Sequence, residues 1–220
     1  MGFNISRIVE IQISNKTQNI TLKNARTHFF SGHSVNVPQP SVPPGSSSSW
    51  KFTNRTMFWG CNGVLAYEAD SFTLAIYFSN PVDYNRFSLE TGLELSVDKV
   101  HKRDLESTYD RLVRTARDCS DSFAFPCVII KEWQNEAQLS AGPVTVTATV
   151  FRGRSAVMKV VVEEREDSGS GARRETPCRA RHTQENPEPG RPSGEASGEP
   201  RNSRDGQRNL KTLPESLKNL

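Results

Sequence analysis

Short apolar runs alternate with polar turns along most of the chain, a pattern typical of β-strands. The first run, residues 5–13, carries β-branched side chains and ends at a polar pair. Two almost wholly apolar runs, residues 63–67 and 72–78, flank a short polar stretch and predict a hairpin of central strands. Residues 123–130 fit either a strand or a buried loop. Further strands are predicted at residues 19–22, 25–30, 46–55, 87–97, 144–151 and 156–162.

One segment has the periodicity of a helix instead. Within residues 103–117, Leu105, Tyr109 and Leu112 recur at helical spacing, charged side chains fill the other faces, and no Gly or Pro interrupts the run. About ten short strands and one helix indicate a mainly β protein. We therefore predict an antiparallel β-sandwich flanked by one or two α-helices.

The composition of the chain changes near residue 165. All Phe, Tyr and Trp residues precede that position, whereas Pro, Gly, Ser, Glu and Arg dominate after it. A segment of that kind cannot bury enough apolar surface to offset the entropy of an ordered chain. The sequence thus predicts a β-sandwich domain over residues 1–164 and a disordered, low-complexity tail over residues 165–220.

Charge and hydropathy narrow the choice of partner and compartment. The net charge of +3 is too small to indicate a dedicated polyanion partner, so nucleic-acid binding is not expected. The sequence has no signal-peptide pattern and no run of about 18 apolar residues. We expect a soluble protein without a signal peptide, either cytoplasmic or secreted by a non-standard route.

Residue types that support catalysis or metal binding are present but are not grouped. His28, His33 and His101 are scattered, and the four cysteines lack the spacing of metal ligands. We therefore predict no catalytic residue, no metal and no cofactor, and the protein is not expected to be an enzyme. Cys119 and Cys127 flank a short loop, and their spacing leaves both a disulfide and two free thiols open.

A segment rich in hydroxyl, proline and aromatic groups follows the second strand of the predicted hairpin. Residues 78–88 read Phe-Ser-Asn-Pro-Val-Asp-Tyr-Asn-Arg-Phe-Ser. Local chemistry fits either a simple turn or a recognition loop that a rigid scaffold presents. The segment resembles the Phe-Ser-x-Pro-aromatic-Asp-Tyr-Asn-x-Tyr-Ser segment of the actinoporins, the sea-anemone pore-forming cytolysins, and of their vertebrate actinoporin-like relatives.

Other motifs are similar to that family in the same order along the chain. Residues 29–32 match its Phe-x-Ser-Gly turn, residues 38–45 the proline segment of its vertebrate members, residues 63–67 its Gly-Val-Leu-Ala-Tyr strand, and residues 109–112 its Tyr-acidic-x-Leu helix. The resemblance covers about residues 8–162. It implies a β-sandwich that binds phosphocholine headgroups, sphingomyelin in particular, and forms a homo-oligomer that permeabilises membranes, with cytolysis, hemolysis and ion channel activity as results.

The resemblance also implies site residues, position by position. It places the lipid-headgroup pocket at Ser31, Ser79, Pro81, Phe87 and Tyr109. It places a membrane-facing loop at Tyr84, Asn85 and Arg86. Aromatic faces suit a quaternary ammonium and hydroxyl groups suit a phosphate, so these residue types fit a phosphocholine ligand.

Several positions differ from the family pattern. Arg86 replaces a membrane-facing tryptophan of the anemone toxins, Asn62 a pocket valine, and Val113 and Arg114 two tyrosines. Only residues 1–7 precede the first strand, whereas a helix needs about 20 residues to cross a bilayer. We therefore expect no pore-lining N-terminal helix from this chain. These differences motivate an alternative, a non-lytic module that binds carbohydrate or protein as fungal fruit-body lectins do.

Overall fold

The computed structural model describes residues 6–36, 39–56, 58–118 and 125–165, so nearly all of the predicted tail lies outside the described residues. Eleven strands, one α-helix and one 3₁₀ helix occur in the described part of the chain. The strands are β1 (Ile8–Asn15), β2 (Lys23–Ser31), β3 (His33–Ser34), β4 (Ser47–Thr53), β5 (Cys61–Glu68), β6 (Thr73–Asn80), β7 (Glu90–Ser96), β8 (Cys127–Ile130), β9 (Glu136–Ala141), β10 (Val144–Phe151) and β11 (Ser155–Glu164). The 3₁₀ helix is Val100–Lys102 and the α-helix, α1, is Leu105–Asp118.

The strands form two sheets that pack as a β-sandwich, which confirms the predicted fold class. One sheet has the order β3-β4-β1-β11-β10-β9 and the other the order β2-β5-β6-β7-β8. The predicted hairpin is the antiparallel pair β5 and β6. One difference from the prediction is that β1 and β11 pair in parallel, so the first sheet is mixed. The first and last strands of the sandwich are thereby neighbours at the centre of that sheet.

Alternating side chains of each sheet fill the space between them. Every second residue of β1, beginning with Val9, is buried, and β11 shows the same alternation. Phe52 of one sheet stacks on Phe78 of the other, with ring centroids 4.8 Å apart. The indole nitrogen of Trp50 donates a hydrogen bond to the hydroxyl of Tyr67, at 2.6 Å. Burial of each such large side chain contributes about 1.5 to 3 kcal/mol.

One strand prediction was wrong, and one strand was not predicted, each for an identifiable reason. Residues 19–22 form no strand, and Leu22 makes a single bridge to Val42. The side-chain amide of Asn15 donates to the carbonyl oxygens of Ile20 and Val42. These side-chain hydrogen bonds stand in place of the backbone hydrogen bonds of a β-ladder. Strand β9 was not predicted, because this edge strand is polar and, within the described part of the chain, pairs with β10 alone.

The predicted helix is confirmed and begins at Leu105. The carboxylate of Asp104 accepts hydrogen bonds from the backbone N–H groups of Glu106 and Ser107, at 2.9 and 3.1 Å, which caps the helix. The apolar stripe of α1 packs on the outer face of β5 and β6, where Tyr109 meets Tyr77. Among the described residues, no helix has the length and hydropathy needed to cross a membrane.

The cysteines contribute no cross-link in the described part of the chain. Cys61 and Cys127 are free thiols, and Cys119 lies outside the described residues. Burial raises the pKa of each of these two thiols to about 12, so both stay protonated at physiological pH.

Candidate functional site

A groove of about 830 Å³ lies between α1, the end of β6 and the loop that follows β6. Several residues of the sequence motifs described above line this groove. Its lining comes from five parts of the chain: Phe30 of β2; Phe58, Trp59, Gly60 and Asn62 around the start of β5; Tyr77 and Ser79 of β6; Pro81, Val82, Asp83, Arg86, Phe87, Ser88 and Glu90; and Tyr109, Asp110, Val113 and Arg117 of α1.

The connection before β5 and the loop after β6 are packed directly against each other. A Cβ on Gly60 would lie 2.3 Å from the carbonyl oxygen of Asn80 and 2.8 Å from the Cα of Pro81. Only glycine permits that approach, because real Cβ atoms do not come so close to backbone. In the same region the register pairs Asn62 with Ser79. Both walls of the groove are therefore fixed by backbone contacts.

Aromatic rings line the mouth of the groove. Phe30, Phe58, Trp59 and Phe87 are each more than half exposed. Phe30 stacks on Tyr109 with centroids 6.0 Å apart and an interplanar angle of 7°, and Trp59 meets Phe30 edge-on at 5.9 Å. An exposed cluster of this kind usually marks a binding surface. Its ring faces are suited to a quaternary ammonium.

Hydroxyl and amide groups lie deeper in the groove. The hydroxyl of Ser79 donates to the side-chain oxygen of Asn62 at 3.1 Å, and the hydroxyl of Tyr77 donates to a carboxylate oxygen of Glu90 at 3.5 Å. Burial raises the pKa of Tyr109 to about 12. Burial, and then the charge of Glu90, raises the pKa of Tyr77. Both phenols are therefore neutral hydrogen-bond donors at physiological pH.

Charges of both signs line the groove. Arg86 and Arg117 supply two positive charges, and Asp83, Glu90 and Asp110 supply three negative ones. The guanidinium of Arg86 lies 3.6 Å from the carboxylate of Asp83, but both side chains are exposed and such a pair contributes at most about 1 kcal/mol. The arrangement suits a zwitterion better than a polyanion. Within the described residues, no cluster of His, Cys, Asp and Glu could hold a metal ion.

The structure brings four of the five predicted headgroup residues together. Ser79, Pro81, Phe87 and Tyr109 all line the groove. Ser31 does not line it. Its neighbour Phe30 does, where β2 has a register shift before its last residue. The sequence differences at Asn62 and Val113 also lie in the lining.

The predicted membrane-facing loop, Tyr84, Asn85 and Arg86, is exposed along its whole length. The hydroxyl of Tyr84 lies 2.7 Å from the side-chain oxygen of Asn80 and 2.8 Å from the carbonyl oxygen of Gly153. The guanidinium of Arg7 lies over the ring of Tyr84, 5.0 Å from its centroid. Tyr84 and Asn85 do not line the groove, whereas Arg86 does. The hydroxyl of Tyr84 is thus hydrogen-bonded to the sandwich, while the residue stays 44% exposed.

Arg7 links the loop after β6 to the segment that follows β4. Its guanidinium donates to the carbonyl oxygens of Pro81 and Val82, at 2.7 and 2.5 Å. Its backbone N–H donates to the side-chain oxygen of Asn54, and its carbonyl oxygen accepts from the Asn54 N–H. The side chain therefore holds the start of the loop after β6, and the backbone holds the segment after β4. Motif analysis did not find Arg7, because a single arginine before a strand has no distinctive sequence pattern.

Three comparisons with known proteins add to this picture. No protein-family model matches the chain. The chain is 38% identical over 116 residues to deep sea actinoporin Cjtox II of Cribrinopsis japonica, and 33% identical over 111 residues to DELTA-actitoxin-Aeq1b of Actinia equina. These matches cover 51% and 49% of this chain and 51% and 50% of the relatives. The chain therefore spans about half the length of the curated relatives it matches.

A solved structure shares the fold. The crystal structure of the lipid binding protein Nakanori superposes with a TM-score of 0.56 at 15% sequence identity, over 72% of this chain and 71% of that chain. At that identity the match shows the fold alone.

Proposed function

We propose, from the confirmed similarity of about half of this chain to the actinoporins, that the aromatic groove binds the phosphocholine headgroup of a membrane lipid. The observation that carries the proposal is that Ser79 of β6, Pro81 and Phe87 of the loop after β6, and Tyr109 of α1 line one groove. The proposed activity is ligand binding, without a catalytic step.

The chemistry of the groove fits the two charged ends of phosphocholine. The trimethylammonium group contacts the faces of Phe30, Trp59 and Phe87, each contributing about 0.5 to 2 kcal/mol depending on desolvation. The phosphate accepts a hydrogen bond from the hydroxyl of Tyr109 and one from the hydroxyl of Ser79, which turns away from Asn62 when the ligand binds. Sphingomyelin and phosphatidylcholine both present this headgroup, and sphingomyelin is the preference that the resemblance implies.

Membrane permeabilisation is the second part of the proposal. After headgroup binding, copies of the chain assemble on the membrane and open a pore, as in the family that the chain resembles. This step needs more than the groove, because it also needs a segment that enters the bilayer. Headgroup binding and pore formation are therefore tested separately.

Vesicle experiments separate the two parts. The full chain is sedimented with vesicles of phosphatidylcholine alone and of phosphatidylcholine with sphingomyelin, and dye release is measured from the same vesicles. We expect binding that soluble phosphocholine competes away. Absence of binding to both vesicles would overturn the whole proposal. Binding without dye release would retain headgroup recognition and remove the pore. Hits on a glycan array without vesicle binding would favour the lectin alternative.

The substitution Phe87→Ala is expected to weaken vesicle binding by about tenfold, which corresponds to about 1.4 kcal/mol. It removes one aromatic face from the ammonium site, at a side chain that is exposed and carries little of the core. Phe151→Ala is the matched control, because Phe151 is also an exposed phenylalanine but lies outside the groove lining. Equal loss of binding in both variants would contradict the assignment of the groove.

A further inference from the structure

Two consecutive aromatic side chains stand exposed between β4 and β5. Phe58 is 83% exposed and Trp59 is 57% exposed. A large apolar side chain left in water forgoes about 1.5 to 3 kcal/mol of burial free energy. Neighbouring side chains of this kind usually have a contact surface to which they are complementary.

Phe58 and Trp59 continue the apolar surface of the groove. Trp59 meets Phe30 edge-on, and both residues line the groove that Phe87 also lines. Gly60, the next residue, is held against Asn80 and Pro81, which fixes the position of the pair relative to the rest of the groove. The four exposed rings therefore form one apolar rim, which we define as Phe30, Phe58, Trp59 and Phe87.

The charges around this rim indicate what could cover it. The groove lining carries two arginines and three carboxylates, so a strongly anionic surface would meet repulsion. A zwitterionic lipid surface presents a positive and a negative group in each headgroup, which suits a lining that carries charges of both signs. Trp side chains prefer the interface between headgroups and hydrocarbon. The rim is continuous with the groove, so one bilayer could supply both the headgroup and the apolar contact.

We propose that Phe58 and Trp59 enter the interfacial layer of a zwitterionic bilayer while the groove behind them holds a headgroup. This inference rests on the proposed headgroup binding and adds the orientation of the protein on the membrane. It adds the residues before β5 to the membrane contact, beside the exposed Tyr84, whose hydroxyl is hydrogen-bonded to Asn80 and Gly153.

Tryptophan fluorescence tests this orientation, because the chain has three tryptophans in distinct environments. Trp50 is fully buried, and Trp133 is 78% exposed but outside the groove lining. In the variant Trp133→Phe, the fluorescence of an exposed tryptophan comes from Trp59. In the variant Trp59→Phe, it comes from Trp133. Each variant is mixed with phosphatidylcholine–sphingomyelin vesicles whose acyl chains carry bromine. We expect a blue shift and strong quenching in Trp133→Phe, and emission close to that without vesicles in Trp59→Phe.

The outcomes separate this inference from the proposed function. Binding of Trp133→Phe to vesicles without quenching of Trp59 would overturn the orientation and leave headgroup binding intact. Quenching of Trp133 in place of Trp59 would do the same. Failure of the wild-type chain to sediment with vesicles would overturn the proposed function, and this inference with it. A concentration-dependent blue shift of Trp59 without lipid would show that a second copy covers the rim, which also overturns the inference.

Discussion

Replacing Arg111 with leucine is expected to lower the free energy of unfolding by about 3 to 5 kcal/mol. Arg111 of α1 donates two hydrogen bonds to the carboxylate of Glu94 on β7, at 3.0 and 2.5 Å. Nε2 of His101 lies 2.7 Å from the same carboxylate, which is almost fully buried. Without Arg111, the buried negative charge keeps, among the described residues, the imidazole of His101 as its hydrogen-bond partner. The loss is large because the carboxylate cannot reach water.

Urea unfolding at pH 7 measures this effect. Arg114→Leu is the matched control, because Arg114 lies on the same helix with an exposed side chain and should change the free energy by no more than about 0.5 kcal/mol. Similar losses in both variants would show that helix propensity or net charge, and not the buried ion pair, explains the result.

The effect of Arg111→Leu should also depend on pH. Burial alone would raise the pKa of Glu94, but the hydrogen bonds from His101 and Arg111 and the charge of Arg111 outweigh it and hold the pKa below its ordinary value of 4.5. A lowered pKa gives stability that is present above the unfolded-state pKa and is lost as the pH falls through the folded-state pKa. The difference between wild type and variant should therefore shrink below about pH 4. A constant difference between pH 7 and pH 3.5 would contradict this account.

Arg7→Leu is expected to weaken vesicle binding by at least about tenfold and to lower the free energy of unfolding by about 2 to 3 kcal/mol. The substitution removes the donors to Pro81 and Val82 but leaves the backbone hydrogen bonds to Asn54. The loop after β6 then loses the two hydrogen bonds that hold its start, which loosens Pro81 and Phe87 in the groove although the contacts of Tyr84 and Gly60 remain. Vesicle sedimentation and urea unfolding measure the two effects.

A lysine at the same position provides the control for charge. Arg7→Lys keeps the positive charge but not the fork that reaches two carbonyl oxygens, so it should recover only part of the binding. Binding should also be measured well below the unfolding midpoint, so that loss of folded protein does not lower it. Wild-type vesicle affinity in a folded Arg7→Leu protein would contradict the role of Arg7 in positioning the loop.

The fold was predictable where burial dictates the sequence pattern. Strands β5 and β6 were predicted from two apolar runs, and α1 from the stripe of Leu105, Tyr109 and Leu112. All of these are buried, so few other structures fit their sequence patterns. The edge strand β9 escaped prediction because its outer side chains are polar and only one neighbouring strand pairs with it. The parallel pairing of β1 and β11 joins the two ends of the domain, which no local pattern can reveal.

The groove was predictable only in part. Ser79, Pro81, Phe87 and Tyr109 could be named because they stand in motifs of a known family. Phe58 and Trp59 could not, since two aromatic residues in a polar stretch fit a buried turn as well as an exposed rim. The hydrogen bonds of the Tyr84 hydroxyl could not be predicted either, because its partners Asn80 and Gly153 are distant from each other in sequence.

The central claim, that the groove binds phosphocholine, is tested most directly by nuclear magnetic resonance. Soluble phosphocholine is titrated into the full-length, ¹⁵N-labelled chain and backbone amide shifts are followed. The account predicts saturable shifts concentrated at Asn62, Ser79, Phe87 and Val113, with residues 131–135, which lie outside the groove, unchanged. Absence of shifts, or saturable shifts that leave the groove residues unchanged, would contradict it.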